Sequence, residues 1–288
     1  MTFSAYGKYL WTGGKRGVRV WRVEDGKKMT ALEAKDTQCL AVSKDDRSGD
    51  VRRLCVCVGG KDIRTSLLAR GDNHDINGVD FSPDSSRLVS ASRNSIAAVW
   101  KFATRKQVQM LSHGDAVIAA KYSPQGDRIA TATHESVRVW DSNDGRLLVD
   151  IPEKVTPCFN TGLLWPNNHL LVVSDGTIKE IEASTGTVSK RQAPGCDSDS
   201  CIALPRHGEF IACSTKDIVR FRDTATHTQL GLVQHPQNIR SIAVSPDDRF
   251  LAIGGQDGRV TINSLSQCAI ASIWIVVNNS FLTPIILP

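Results

Sequence analysis

The chain is 288 residues long with 41% hydrophobic and 23% charged residues, enough for one large domain with an ordinary core, which excludes a disordered or collagen-like chain. Its 35 basic residues against 30 acidic ones leave a net charge of +5 over the whole length, too thin for a dedicated nucleic-acid or membrane surface. Eight cysteines, at 39, 55, 57, 158, 196, 201, 213 and 268, include no CxxC pair, so they read as buried thiols of a reducing compartment and not as a zinc knuckle or redox site.

The first ten residues lack the basic start, long apolar stretch and small-residue cleavage site of a secretory signal, which gives a cytoplasmic or nuclear expectation. From Phe3-Ser4 onward, a column of the form apolar-Ser-Pro-Asp repeats down the chain. Its copies are Val42-Ser43-Lys44-Asp45, Phe81-Ser82-Pro83-Asp84, Tyr122-Ser123-Pro124, Leu164-Trp165-Pro166, Ala203-Leu204-Pro205 and Val244-Ser245-Pro246-Asp247. Their first positions are 39, 39, 41, 42, 39 and 41 residues apart, a period that marks a repeat architecture. A second column, 18 or 19 residues after the first, ends a short alternating strand: Val18-Arg19-Val20-Trp21, Ala97-Ala98-Val99-Trp100 and Val137-Arg138-Val139-Trp140, with Ile181, Arg222 and Asn263 in the later tryptophan slots. Strands such as Arg87-Leu88-Val89-Ser90 and Arg249-Phe250-Leu251-Ala252-Ile253 lie between the columns, and Lys106-Gln107-Val108-Gln109-Met110 and Arg146-Leu147-Leu148-Val149 follow the tryptophan slot. Four short strands per period of about 40 residues make one antiparallel propeller blade.

These residues carry a likeness to a known family. His74-Asp75 and His113-Gly114-Asp115 open two repeats, the Ser-Pro-Asp columns recur, and Trp140-Asp141 is a literal Trp-Asp dipeptide with Trp21 and Trp100 as variants. The chain resembles the WD-repeat family, nearest in its divergence to fungal propellers. The resemblance implies an all-β, seven-bladed propeller of four-stranded antiparallel blades over residues 1–267, with repeats at about 1–36, 37–73, 74–112, 113–153, 154–194, 195–234 and 235–267. It also implies a protein-interaction platform without catalysis.

The pattern breaks in three places. The buried His, Ser/Thr, Asp and Trp set of well-formed family members is never complete: the fourth repeat offers His113, Thr131 or Thr133, and Trp140. The seventh keeps His235 and Asp257 but puts Gly254-Gly255 at the hydroxyl and lacks the tryptophan. In the second repeat the run Leu54-Cys55-Val56-Cys57-Val58 arrives too early for a tryptophan slot near 61, and the pattern is lost from 48 to 73. At the end, the apolar tail 268–288 holds too short an unbroken stretch for a bilayer span of about 20 residues. Its residues 269–277 are placed to supply the outer strand of the last blade, unless the tail is the product of truncation. Ring closure is therefore uncertain, since no N-terminal segment precedes the first strand to complete the last blade.

Motifs of chemistry are sparse. Gly13-Gly14-Lys15-Arg16-Gly17 is basic and glycine-rich but sits in a strand-to-strand turn with no helix to aim at a phosphate. His74, His113 and His235 open repeats and read as structural, while His134, His169, His207 and His227 read as solvated turn residues. No metal, cofactor or catalytic residue is expected. The expected function is a scaffold or adaptor presenting loops to other proteins. A degenerate or truncated propeller without independent function is the alternative, and an enzyme with a site at the central channel the third reading. The candidate binding face comprises Lys15, Arg16, Asn73, His74, Asp75, Arg93, Asn94, His134, Glu135, Lys216, Asp217, Gln256 and Asp257. Its mixed, mildly basic character suits an acidic or phosphorylated peptide taken by a monomer, with neither nucleic acid nor membrane as partner.

Overall fold

The computed structural model describes residues 1–15, 17–32, 37–43, 54–58, 62–63, 76–155, 162–166, 168–174, 177–191, 200–205, 208–224, 226 and 228–265. Every regular element among them is a strand. The first sheet is β1 (Thr2–Phe3), β2 (Tyr9–Gly14), β3 (Gly17–Arg22) and β4 (Lys28–Leu32), and the second is β5 (Thr37–Val42), β6 (Leu54–Val58) and β7 (Asp62–Ile63). The third is β8 (Ile76–Phe81), β9 (Arg87–Ser92), β10 (Ile96–Lys101) and β11 (Lys106–Ser112), and the fourth β12 (Ala119–Tyr122), β13 (Arg128–Ala132), β14 (Val137–Asp141) and β15 (Leu147–Ile151). The fifth is β16 (Leu163–Leu164), β17 (His169–Ser174), β18 (Thr177–Glu182) and β19 (Val188–Arg191), and the sixth β20 (Ile202–Ala203), β21 (Phe210–Thr215), β22 (Ile218–Asp223) and β23 (Gln229–Gln234). The last is β24 (Ile239–Val244), β25 (Phe250–Gly255) and β26 (Val260–Ser264).

Within each sheet, strands consecutive in the chain pair antiparallel. The first strands β1, β5, β8, β12, β16, β20 and β24 touch in succession and β24 returns to β1, which makes a β-propeller. The expectation of seven four-stranded blades is corrected. Five sheets have four strands and two have three among the described residues. Six sheets keep the full second and third strands of a blade, whereas the second ends in the two-residue β7, paired only with Cys57 and Val58. Among the described residues the ring thus has six blades and a rudimentary sheet. The early apolar run at 54–58 is the second strand of that sheet, with Cys39 opposite Cys57 and Leu40 opposite Val56.

The two sequence columns have clear physical roles. Ser82 Oγ accepts the amide of Arg87 at 2.9 Å and donates to Asp84 Oδ1 at 2.6 Å, so the turn between first and second strands is tied at both ends. Ser245 repeats this on Phe250 and Asp247, and Ser4 on Tyr9. The turn needs one left-handed residue, supplied by Gly7 (φ 69°) or Gly126 (φ 80°), or by Ser85 and Asp248 where the repeat lacks glycine.

In the second column the indole donates across the hairpin to a hydroxyl two residues beyond its cross-strand neighbour. Trp21 Nε1 reaches Thr12 at 3.0 Å, Trp100 reaches Ser90 at 2.9 Å and Trp140 reaches Thr131 at 2.8 Å. The fourth sheet adds His113, whose Nε2 lies 2.8 Å from Thr131 Oγ1 and whose Nδ1 lies 2.9 Å from the Leu111 carbonyl. A carbonyl only accepts, so Nδ1 carries the proton and Thr131, not Thr133, donates to Nε2. Where the tryptophan is lost, the hydroxyl is lost with it. By register, Ile181 goes with Val172, Arg222 with Cys213 and Asn263 with Ile253. The hydroxyl slot of the last blade is therefore Ile253 and not Gly254-Gly255. Losing both partners together leaves nothing unsatisfied, which is why apolar pairs can replace the set at small cost. The last blade is the exception: His235 Nε2 and Asn263 Nδ2 are buried there without a partner among the described residues.

Among the described residues the first and last blades meet by packing and share no sheet. Phe3, Leu10 and Val23 of the first blade pack on Ala252, with Phe250, Val260 and Ile262 around them. The Met1 amine lies 3.4 Å from Ser241 Oγ. The tail expected to complete the last blade lies outside the described residues.

Candidate functional site

The described members of the expected binding face fall at equivalent places. Lys15 joins β2 to β3, Arg93 and Asn94 join β9 to β10, His134 and Glu135 join β13 to β14, Lys216 and Asp217 join β21 to β22, and Gln256 and Asp257 join β25 to β26. In an antiparallel sheet that end also carries the connections from a fourth strand to the next first strand, so these turns crown one rim of the propeller. Arg16, Asn73, His74 and Asp75 lie outside the described residues.

Backbone bonds hold this rim in place. His113 N donates to Ser95 O at 2.9 Å, Val155 N to His134 O at 3.2 Å, His235 N to Asp217 O at 2.6 Å and Gln256 N to Asn238 O at 2.8 Å. Three inter-sheet connections, β11 to β12, β15 to β16 and β23 to β24, are thus stitched onto a turn of the face. Two candidate side chains are consumed by their own turns: Asn94 Oδ1 accepts Ile96 N at 3.1 Å, and Asp257 Oδ1 accepts Arg259 N at 2.9 Å. Lys15, Arg93, His134, Glu135, Lys216 and Gln256 remain exposed. They are distributed over five turns, each on a different sheet.

A buried ion pair beneath this rim has no counterpart among the sequence motifs. Lys179 on β18 reaches Glu153 in the connection after β15, and Ser174 Oγ donates to the same carboxylate at 3.1 Å. Lys179 is only 9% exposed, so the pair holds the fourth-to-fifth connection in place, and breaking one side would strand a buried charge. His169, expected as a solvated turn residue, opens β17 between Glu180 at 3.7 Å and Glu182 at 3.3 Å. Burial pushes the His113 imidazole down to about 4, consistent with its neutral role in the Thr131 network. Cys39, Cys201 and Cys213 are buried free thiols. Among the described residues no group of three or more His, Cys, Asp or Glu could hold a metal ion, and no helix is long and apolar enough to cross a membrane.

A closed ring of antiparallel sheets, with a tryptophan bonded to a hydroxyl in three of them, defines a repeat-built β-propeller. Residues 65–101, 105–141 and 226–262 match the family described as WD domain, G-beta repeat. The three matched repeats and the ring together support a WD-repeat propeller. The chain is 25% identical over 210 residues to autophagy-related protein 16 of Arabidopsis thaliana, covering 66% of this chain and 39% of that protein. It is 28% identical over 142 residues to small ribosomal subunit protein RACK1y of Oryza sativa subsp. japonica, covering 46% and 40%. Transcriptional corepressor LEUNIG_HOMOLOG of Arabidopsis thaliana is 24% identical over 193 residues, covering 65% and 24%. The chain therefore spans well under two thirds of the length of these relatives.

Proposed function

We propose that the protein is a non-catalytic scaffold or adaptor of the cytoplasm or nucleus, a monomer whose turn-bearing rim receives other proteins or peptides of acidic or phosphorylated character. The observation that carries this reading is the rim itself: five turns of mixed charge, one per sheet, each borne on a paired hairpin and several stitched by backbone bonds to the neighbouring connection. Such a surface offers many exposed side chains on a frame that does not depend on them. The relatives support it in kind, because an autophagy protein, a ribosomal subunit protein and a transcriptional corepressor share the repeats without sharing a process. The WD-repeat family is typically non-enzymatic.

The test is capture of partners by the full chain, with cross-links mapped by mass spectrometry. The triple variant Lys15→Glu, Arg16→Glu, Lys216→Glu is expected to retain its melting temperature while its specific partners fall at least tenfold. Full capture by that variant, or cross-links confined to the other rim, contradicts the reading.

A further inference from the structure

The opposite rim, formed by the turns between first and second strands and between third and fourth, carries a different feature. At its seam between the third and fourth blades lies a cavity of about 250 Å³, lined among others by Asp84, Ser86, Arg87, Tyr122, Gln125 and Asn143. Arg87 opens β9 and reaches across the seam to the Ser142 carbonyl at 2.6 Å. In register, Arg87 sits opposite Lys101, and Lys101 sits opposite Lys106. Three cations therefore stand side by side on successive strands, and like charges directly opposite each other are destabilising.

Three of the other blades put an acid in this row, while the first has Arg22 opposite Tyr9 and the last Ser264 opposite Phe250. The residue after the tryptophan slot is Asp141 opposite Arg128 in the fourth blade, Glu182 opposite His169 in the fifth and Asp223 opposite Phe210 in the sixth. Only the third blade follows its tryptophan with a lysine opposite an arginine among the described pairs. No ion pair answers Arg87, Lys101 or Lys106 among the described residues.

Two further observations belong to the same place. The hydroxyl of Tyr122, a residue 5% exposed that lines the cavity, is buried without a hydrogen-bond partner among the described residues. Asp84, the one carboxylate in the lining, is held by the hydroxyls of Ser82 and Ser86 at 2.6 and 2.7 Å, which keep it below the usual carboxylate range and hence charged. Arg87 lines the cavity with that carboxylate, and Lys101 and Lys106 stand beside it on the next two strands, outside the lining, so the row as a whole carries more positive than negative charge, the sign that draws a phosphate monoester.

We propose that this seam is a binding site for a phosphorylated side chain of a partner peptide, with Arg87 and the Tyr122 hydroxyl donating to the phosphate from the lining and Lys101 and Lys106 adding positive charge from the strands beside it. The volume accommodates more than a bare phosphate ion, and its open side faces solvent at the rim, as a peptide side chain requires. The site lies on the rim opposite the proposed scaffold face and does not depend on that reading.

The experiment uses the full chain and fluorescent phosphoserine peptides with their unphosphorylated counterparts, read by anisotropy and by thermal melting. Phosphorylated peptides are expected to bind at least tenfold more tightly and to raise the melting temperature. Lys101→Asp, which restores the acid of the neighbouring blades, is expected to fold at least as stably and to weaken that binding at least tenfold. Tyr122→Phe should likewise leave the free protein no less stable and weaken binding, whereas Lys15→Glu should leave it unchanged. Equal affinity for both peptide forms, or phosphopeptide binding indifferent to Lys101→Asp and Tyr122→Phe, overturns the proposal. Inorganic phosphate binding as tightly as the peptides also overturns it, by assigning the seam to a free anion.

Discussion

Thr131 joins two columns of the repeat, donating to His113 and accepting from Trp140. Thr131→Val keeps the shape but leaves both partners without it, and should cost about 2–4 kcal/mol in chemical denaturation. The same network sets a pH dependence. Unfolded histidine takes up its proton near 6.5, while folded His113 resists protonation until about 4. Protons therefore bind the unfolded chain preferentially between those values, so this contribution is fully present above about pH 6.5 and is lost as the pH falls toward 4. His113→Gln should flatten that part of the profile of melting temperature against pH.

At the scale of the element, the seams between blades decide which turns are constrained. Gly186, in the turn between β18 and β19, has φ 75°, and a Cβ there would stand 2.8 Å from Val149 Cγ1 on the neighbouring blade. Gly26, in the corresponding turn of the first blade, has φ 65° with nothing within 4 Å. Gly26→Ala should cost only backbone strain, about 1 kcal/mol. Gly186→Ala adds overpacking at the seam and should cost about 1–3 kcal/mol more, measured by denaturant titration of the two variants.

This contrast also shows what was legible in the sequence. Hairpins such as β9–β10 and β13–β14 could be read directly, because turn residues and alternating apolar positions are local signals. The choice between Thr131 and Thr133, and the assignment of Ile253 to the hydroxyl slot, required cross-strand register, which the sequence does not print. Side chains that meet across seams, such as Lys179 with Glu153, are still less local. The candidate rim was legible because its turns recur with the period. The basic row on the other rim was missed, although its signal, Trp100-Lys101 where Trp140-Asp141 stands one repeat later, was present.

For the whole molecule, both rims rest on a ring that closes through packing between its first and last blades. That closure was not legible, because Phe3 and Ala252 lie at opposite ends of the described chain and no short-range pattern links them. The most direct measurement is hydrogen–deuterium exchange of the wild type and of Phe3→Ala, a substitution at the β1–β24 seam. A closed ring predicts faster exchange in β24 and β25 as well as in β1 and β2, with a single melting transition moved to lower temperature. Loss of protection confined to the first blade, with the last blade exchanging as in the wild type, would contradict closure and with it the rigid frame on which both rims depend.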